Sequence, residues 1–380
     1  MKLRPIYLII FSIALVVIVV IITGFYISKP AVLDTIENVA PQAVIIDPAP
    51  QEKTVLQQKV EKTYLSLALE QQLGQLFMPA VGKNGLPFET VRMWAEDGII
   101  PGFMVLGTDI TDDQIQELRN LIQQSTGIPP LVAIDAEPSL VQYRIPGYQF
   151  LNTNQYDTVE SSADVASEIS DILISKGYNV NFAPVYDTNA NDSVIGSRSY
   201  GSTPEQTALL ANAFVTSSAK SGIATTAKHF PGHGQVSGDS HLMMPTINGE
   251  LTELPAFISA IQNDVPLMMI GHLAVSDNQT WSTDGLPSTL SLRIMKDLLR
   301  DELGFMGVVI TDAFNMSALD AFQNKEIESI KAGADIVLMP EVNVMLLIDL
   351  MYEEIQIDST LEQEVEQKIK RILELRHTIK

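Results

Sequence analysis

Cysteine does not occur in this chain of 380 residues. That absence excludes disulfides, thiolate nucleophiles and Cys-ligated zinc, as well as a lipid anchor carried on cysteine. Positive charge is also scarce. There are 24 Lys and Arg against 46 Asp and Glu, for a formal net charge of −22. A field of that sign opposes binding to a phosphate backbone, so no nucleic-acid partner is expected. Several signatures are missing as well. There is no GxSxG nucleophile elbow, no HExxH zinc helix and no GxxxxGK[ST] phosphate loop.

One long apolar run stands at the start. From Ile6 to Ile27 no charged residue occurs. At 1.5 Å per residue such a helix would span roughly 33 Å, enough to cross a bilayer core. Lys2 and Arg4 precede it, which predicts a cytoplasmic N-terminus and an extracytoplasmic remainder. A cleaved signal peptide is the alternative, but its apolar core would be shorter and GFYISKP is a poor cleavage site. The expected division is therefore an anchor over 1–28, a linker over 29–60 with Pro30, Pro41, Pro48 and Pro50, and one domain over 61–380. Leu65, Leu69, Leu73 and Leu76 predict a helix where that domain begins.

Beyond it, short apolar runs alternate with helical patterns. The runs are 76–81, 102–107, 131–135, 180–187, 223–230, 266–272, 307–313 and 334–340. Between them, 111–124, 204–220, 251–263, 291–303 and 342–354 have helical periodicity, and 358–379 reads as a terminal helix. Continuously apolar strands alternating with amphipathic helices imply a parallel sheet covered on both faces. Eight such units predict an α/β fold of the (β/α)8 TIM-barrel type. The alternative, a doubly wound open sheet, would show a glycine fingerprint after its first strand, and LFMPAVGKNG supplies none. Polar residues end five of the runs: Asp135, Asp187, Lys228 with His229, His272, and Asp312. In a barrel those ends share one mouth.

Three of the five histidines fall in KHFPGHGQVSGDSH (228–241). A metal site would want His229 and His233 on one helical face, and Pro231, Gly232 and Gly234 break any helix there. An acid/base loop needs a carboxylate to orient an imidazole, and Asp239-Ser240-His241 offers one. Asp312, at the tip of GVVITD, is then the candidate nucleophile. A carboxylate nucleophile with a separate proton donor is the equipment of a retaining glycosidase.

These residues resemble the β-N-acetylhexosaminidase branch of glycoside hydrolase family 3. The resemblance runs from LALEQQLGQLFM (67–78) to GADIVLMP (333–340). It includes NFAPVYDTN (181–189), IGSRSYG (195–201), AKHFPGHGQVSGDSH (227–241), LPSTLS (286–291) and LGFMGVVITDAFNM (303–316). It implies a TIM barrel that removes terminal β-linked N-acetylglucosamine with retention, without cofactor or metal. Asp312 then resembles the nucleophile, His241 the general acid/base and Asp239 its partner. Asp135, Arg198, Lys228 and His229 resemble the residues that hold the sugar, and His233 a support of the loop. The expected partner is an N-acetylglucosamine-containing glycan or muropeptide, bound by a monomer. In one stretch the chain departs from the branch: Asp-x-Glu-Gly-Gly-Arg-Val is replaced by DAEPSLV (135–141). An arginine is lost there, unless Arg144 takes its place. Two other activities fit the same residues: a phosphorylase, in which phosphate replaces water, and a sugar-binding wall protein with a degenerate site.

Overall fold

The computed structural model describes residues 54–190, 194–236 and 244–379. The anchor expected over 1–28 lies outside the described residues, as do Asp239 and His241. Among the described residues no helix is long and apolar enough to cross a membrane.

Eleven strands are formed by the described residues. β1 (Phe77–Met78) and β2 (Ala80–Val81) share the first apolar run. β3 (Gly102–Val105), β4 (Leu131–Ile134), β5 (Val180–Asn181) and β6 (Ala224–Phe230) follow. Then come β7 (Thr246–Asn248), β8 (Leu267–Ile270), β9 (Ala274–Ser276), β10 (Val308–Thr311) and β11 (Val337–Leu338). Seven of them form one curled parallel sheet in the order β10-β8-β6-β5-β4-β3-β2. Of the two remaining pairs, β7 with β9 stands apart and the other links the edges of the sheet. β1 pairs with β11 in parallel, and next to β11 Ile336 bridges to Ile310 in β10. All eight apolar runs therefore contain strand. β3, β4, β8 and β10 are buried at every position, as expected of a sheet covered on both faces.

The helices connect these strands and pack around the sheet. They are α1 (Val55–Ser66), α2 (Leu69–Gly74), α3 (Phe88–Glu96), α4 (Asp112–Thr126), α5 (Val141–Arg144) and α6 (Val159–Ser175), then α7 (Pro204–Ser221) and α8 (Leu254–Gln262). A π-wound helix, Arg293–Glu302, precedes β10. α9 (Lys325–Ala332), α10 (Val344–Ile357) and α11 (Ser359–Thr378) complete the set. Their sequence logic is visible in α4. Thr111 and Gln114 form a capping box at its start, and Ile115, Leu118 and Ile122 are buried on one face. Burying each of these side chains stabilises the fold by about 2 kcal/mol.

Two expectations are corrected at the N-terminal edge. The linker drawn to residue 60 overlaps α1, which begins at Val55 behind a Thr54–Gln57 capping box. The single helix implied by Leu65, Leu69, Leu73 and Leu76 is also broken, because Leu67 and Ala68 are extended. Leu65 and Leu69 are exposed and only Leu73 and Leu76 enter the core. The last helix, α11, is fastened to the other end of the domain by Arg376, which is fully buried. Its guanidinium donates to Gln75, Thr126 and the carbonyls of Ile128 and Pro129.

Candidate active site

Because the strands of the curled sheet are parallel, their C-terminal ends lie on one rim. A cavity of about 390 Å³ opens there. Asp135, Arg198, Lys228, His229 and Asp312 all line it, together with Arg144, His233, Leu140 and Asn315. Five of the seven residues singled out from sequence are thus brought together, although they span 178 positions of the chain. The other two, Asp239 and His241, lie outside the described residues.

An ion network forms one wall. Glu137, almost wholly buried, receives Arg198 through Nε at 2.8 Å and Nη2 at 2.6 Å, a forked contact. Lys228 Nζ stands 2.6 Å from Glu137 and 2.7 Å from Asp135. Burial alone would raise the Glu137 carboxyl, but the charges of Arg198 and Lys228 outweigh it and hold the group well below the usual carboxylate range. Lys228 and Arg198 are therefore held in fixed positions by one shared carboxylate. Glu137 lies within DAEPSLV, where the sequence alone assigned it no role. Its importance lies in its two distant partners.

A second carboxylate works behind the wall. Asp187 has no exposed surface. It accepts the backbone N–H groups of His229 and His233, and its Oδ2 lies 2.7 Å from His229 Nδ1. Burial opposes ionisation of Asp187, but the neighbouring His229 and these hydrogen bonds lower its pKa. An ionised carboxylate can only accept, so Nδ1 of His229 carries a proton and Nε2 is left for the cavity. Ser199 of IGSRSYG ties Arg198's loop to this point by donating to the Asp187 carbonyl.

The loop after β6 is shaped by Glu253, at the entrance to α8. Its carboxylate accepts from Thr188 Oγ1 at 2.6 Å and from Gly234 N at 2.8 Å. A Cβ on Gly234 would stand 2.1 Å from the Thr188 carbonyl oxygen and 2.4 Å from Glu253 Oε1. One on Gly232, whose φ is +132°, would stand 2.6 Å from Glu253 Oε2. The glycines of FPGHG therefore allow a close approach to a buried carboxylate 19 residues further on. His233 is buried, and burial followed by the charge of His229 lowers its pKa, so it is neutral at pH 7. Nothing in the sequence marked Glu253, because its partners come from two separate loops.

Glu253 carries a pH signature. Burial and the neighbouring Asp187 push its carboxyl up to about 7 from 4.5. A raised carboxyl binds its proton more tightly in the folded state. The stability it contributes is full below pH 4.5 and is lost as pH rises through about 7, by roughly 3 kcal/mol. Buried His233 and His272, whose pKa values burial lowers, contribute with the opposite slope. The expected result is therefore a difference: the stability gap between wild type and Glu253→Gln, from urea unfolding, changes by roughly 3 kcal/mol between pH 5 and pH 8. A gap that stays constant would show that Glu253 does not titrate there.

Asp312 follows β10. Its backbone N–H donates to Ile270, and its Oδ1 accepts from Ala313 N at 2.8 Å. Oδ2 accepts no hydrogen bond among the described residues. Burial would raise this carboxyl, but His229 and His272 and the Ala313 N–H lower it, so it is ionised. The backbone around it is pinned from two sides. His272 Nε2 donates to the Ala313 carbonyl at 3.0 Å while its Nδ1 accepts from Thr289 of LPSTLS at 2.9 Å. Lys325 donates to the Phe314 carbonyl at 3.1 Å.

The divergent DAEPSLV loop is accommodated by different contacts. Ser139 donates to the Ser197 carbonyl at 2.9 Å and accepts from Thr153 N at 2.8 Å, which braces the loop of Arg198. Leu140 presents an apolar side chain to the cavity. Arg144 lies one helical turn beyond it in α5 and also lines the cavity, with Nη2 3.5 Å from Asp135 Oδ2. A guanidinium is thus restored from position 144. Among the described residues no group of three or more His, Cys, Asp or Glu is arranged to hold a metal ion.

The profile of the glycosyl hydrolase family 3 N-terminal domain matches residues 68–375. The chain belongs to that family. A β-hexosaminidase A of Pseudoalteromonas piscicida is 37% identical over 251 residues, which is 59% of this chain and 42% of that protein. Among solved structures, a family 3 β-N-acetylglucosaminidase from Paenibacillus is 30% identical with a TM-score of 0.73. The match covers 82% of this chain and 63% of that one. A β-N-acetylhexosaminidase from Beutenbergia cavernae is 26% identical with a TM-score of 0.69, covering 81% of this chain and 98% of that one. The chain thus spans less than two thirds of the Pseudoalteromonas and Paenibacillus proteins and nearly all of the Beutenbergia one.

Proposed function

We propose that this family 3 domain is a retaining exo-β-N-acetylglucosaminidase whose eight parallel strand stretches form a (β/α)8 barrel. The observation that carries the reading is Asp312. Its carboxylate is ionised, is held by one oxygen only and lies on the wall of a cavity where Lys228 and Arg198 converge. The names of the relatives support the choice of N-acetylglucosamine as the sugar.

In this reading a terminal sugar enters the cavity and its hydroxyls meet Asp135, Lys228, Arg198 and the Nε2 edge of His229. Asp312 attacks the anomeric carbon, and the bond to the leaving oxygen breaks as His241, assisted by Asp239, delivers a proton to that oxygen. Water then loses a proton to His241, attacks the same carbon and returns Asp312 as a carboxylate. The two inversions leave the product with its original anomeric configuration. Cell-wall muropeptides and chitin-type oligosaccharides both present the required terminal sugar.

The test is an NMR product assay on chitobiose and on a defined muropeptide, in phosphate buffer. The expected first product is free β-N-acetylglucosamine from a non-reducing end. An α-anomer as first product would overturn the retaining mechanism, a sugar 1-phosphate would assign a phosphorylase, and binding without turnover would leave a sugar-binding protein.

A further inference from the structure

A second cavity, of about 320 Å³, lies at the opposite ends of the strands, between the π-wound helix 293–302, the end of α9 and α11. Two of its lining residues, Arg300 and Arg371, reach Asp335, which stands just before β11 and has no exposed surface. Asp335 is already saturated. Arg300 donates to Oδ2 at 2.5 Å, Arg371 to Oδ1 at 2.8 and 3.1 Å, and Val309 N to Oδ2 at 2.8 Å. On the rim, Lys296 is taken by Glu364 at 2.7 Å, and Lys331 by Glu328 and Glu354.

That leaves Lys368. Its side chain is only 5% exposed and lines the cavity, yet among the described residues it makes no hydrogen bond and no ion pair. Burial lowers its pKa to about 8, so it is still mostly cationic at pH 7. Beside it, Arg371 Nη1 makes no hydrogen bond among the described residues. The Lys368 ammonium opens onto the cavity rather than being sealed in the core. The space is open, with Lys, Arg, Gln and Glu side chains along it.

We propose that this cavity binds a phosphoryl group, held by Lys368 Nζ and the free edge of Arg371. A phosphate oxygen suits both a point donor and a planar guanidinium, and the group's charge of about −1.5 to −2 at neutral pH complements the two cations. Glu364 and Asp301 also line the cavity, so the affinity is modest and the charge balance local. The site is independent of the sugar cavity and of the hydrolase reading.

Calorimetric titration of the whole protein with inorganic phosphate, at ionic strength matched with chloride, tests it. Expected are a Kd below about 1 mM, at least a tenfold loss in Lys368→Met, retention in Lys368→Arg, and unchanged glycoside turnover in both. Glucose 1-phosphate in a parallel titration separates the sources: tighter binding than free phosphate points to a phosphate ester, weaker binding to the free ion. Should Lys368→Met not fold, lysine-labelled wild type gives the answer by NMR. One ε-amino signal titrating near pH 8 is then expected to move up by about one unit with phosphate. Phosphate heats no different from chloride, equal binding by Lys368→Met, or an unmoved lysine midpoint would each overturn the proposal.

Discussion

Asp312→Ala is expected to lower kcat on p-nitrophenyl β-N-acetylglucosaminide by about three orders of magnitude or more. The reason is geometric. Asp312 supplies the cavity with an ionised carboxylate whose Oδ2 takes no hydrogen bond among the described residues, so that oxygen is available for bond formation. Alanine removes the attacking atom but leaves Lys228, Arg198 and Asp135 in place, so inhibition by N-acetylglucosamine is expected to persist with little change. The only hydrogen bond lost among the described residues is the one from Ala313 N, worth about 1 kcal/mol, so the fold survives. Azide distinguishes a lost nucleophile from a disturbed pocket. In the vacated space it attacks the anomeric carbon from the face Asp312 had used, giving a glycosyl azide and partial recovery of rate. Wild-type turnover in the variant would remove Asp312 from the mechanism.

Glu137→Ala is expected to produce the largest loss of stability. Glu137 is the common partner of Arg198 and Lys228, and Lys228 is only 2% exposed. Removing one member of a buried ion network strands the others, at a cost of about 3–5 kcal/mol. For a domain of this size that corresponds to a fall in Tm of roughly 5–7 °C. Binding suffers with stability. Without Glu137, Lys228 retains Asp135 alone and Arg198 loses its fork, so both leave their positions on the cavity wall. A rise in KM larger than the fall in kcat is the expected kinetic sign. Scanning calorimetry and a substrate titration check both parts. A variant as stable as wild type would show that the network does not hold this wall together. A double-mutant cycle with Arg198→Ala isolates the pair, since the second substitution costs little once the first is made.

Much of the scaffold was legible in the chain. All eight apolar runs contain strand, and the helical patterns at 111–124, 204–220 and 358–379 correspond to α4, α7 and α11. Local periodicity suffices there because a strand buried on both faces must be continuously apolar and a covering helix must be amphipathic. The break between α1 and α2 was hidden for the same reason. Leucines spaced by three and four continue through it, and only packing reveals that Leu65 and Leu69 point to solvent. The short parallel pair β7–β9 was also invisible, since three-residue strands carry no usable periodicity.

The sequence by itself determined which chemistry is possible here. It excluded thiol chemistry and disfavoured nucleic acid, and it placed acidic and basic residues at the ends of strands that parallel pairing must bring to one rim. Tertiary structure alone decided what those residues are bonded to. Glu137 meets Arg198 across 61 positions, His229 meets Asp187 across 42, and Glu253 fastens Gly234 and Thr188 from a helix entrance. Arg144 restores a guanidinium that DAEPSLV lacks, because one helical turn carries it back to the cavity. A charge is written in the sequence, but its partner, and with it its protonation and its orientation, is set by which loops the fold brings within about 3 Å of one another.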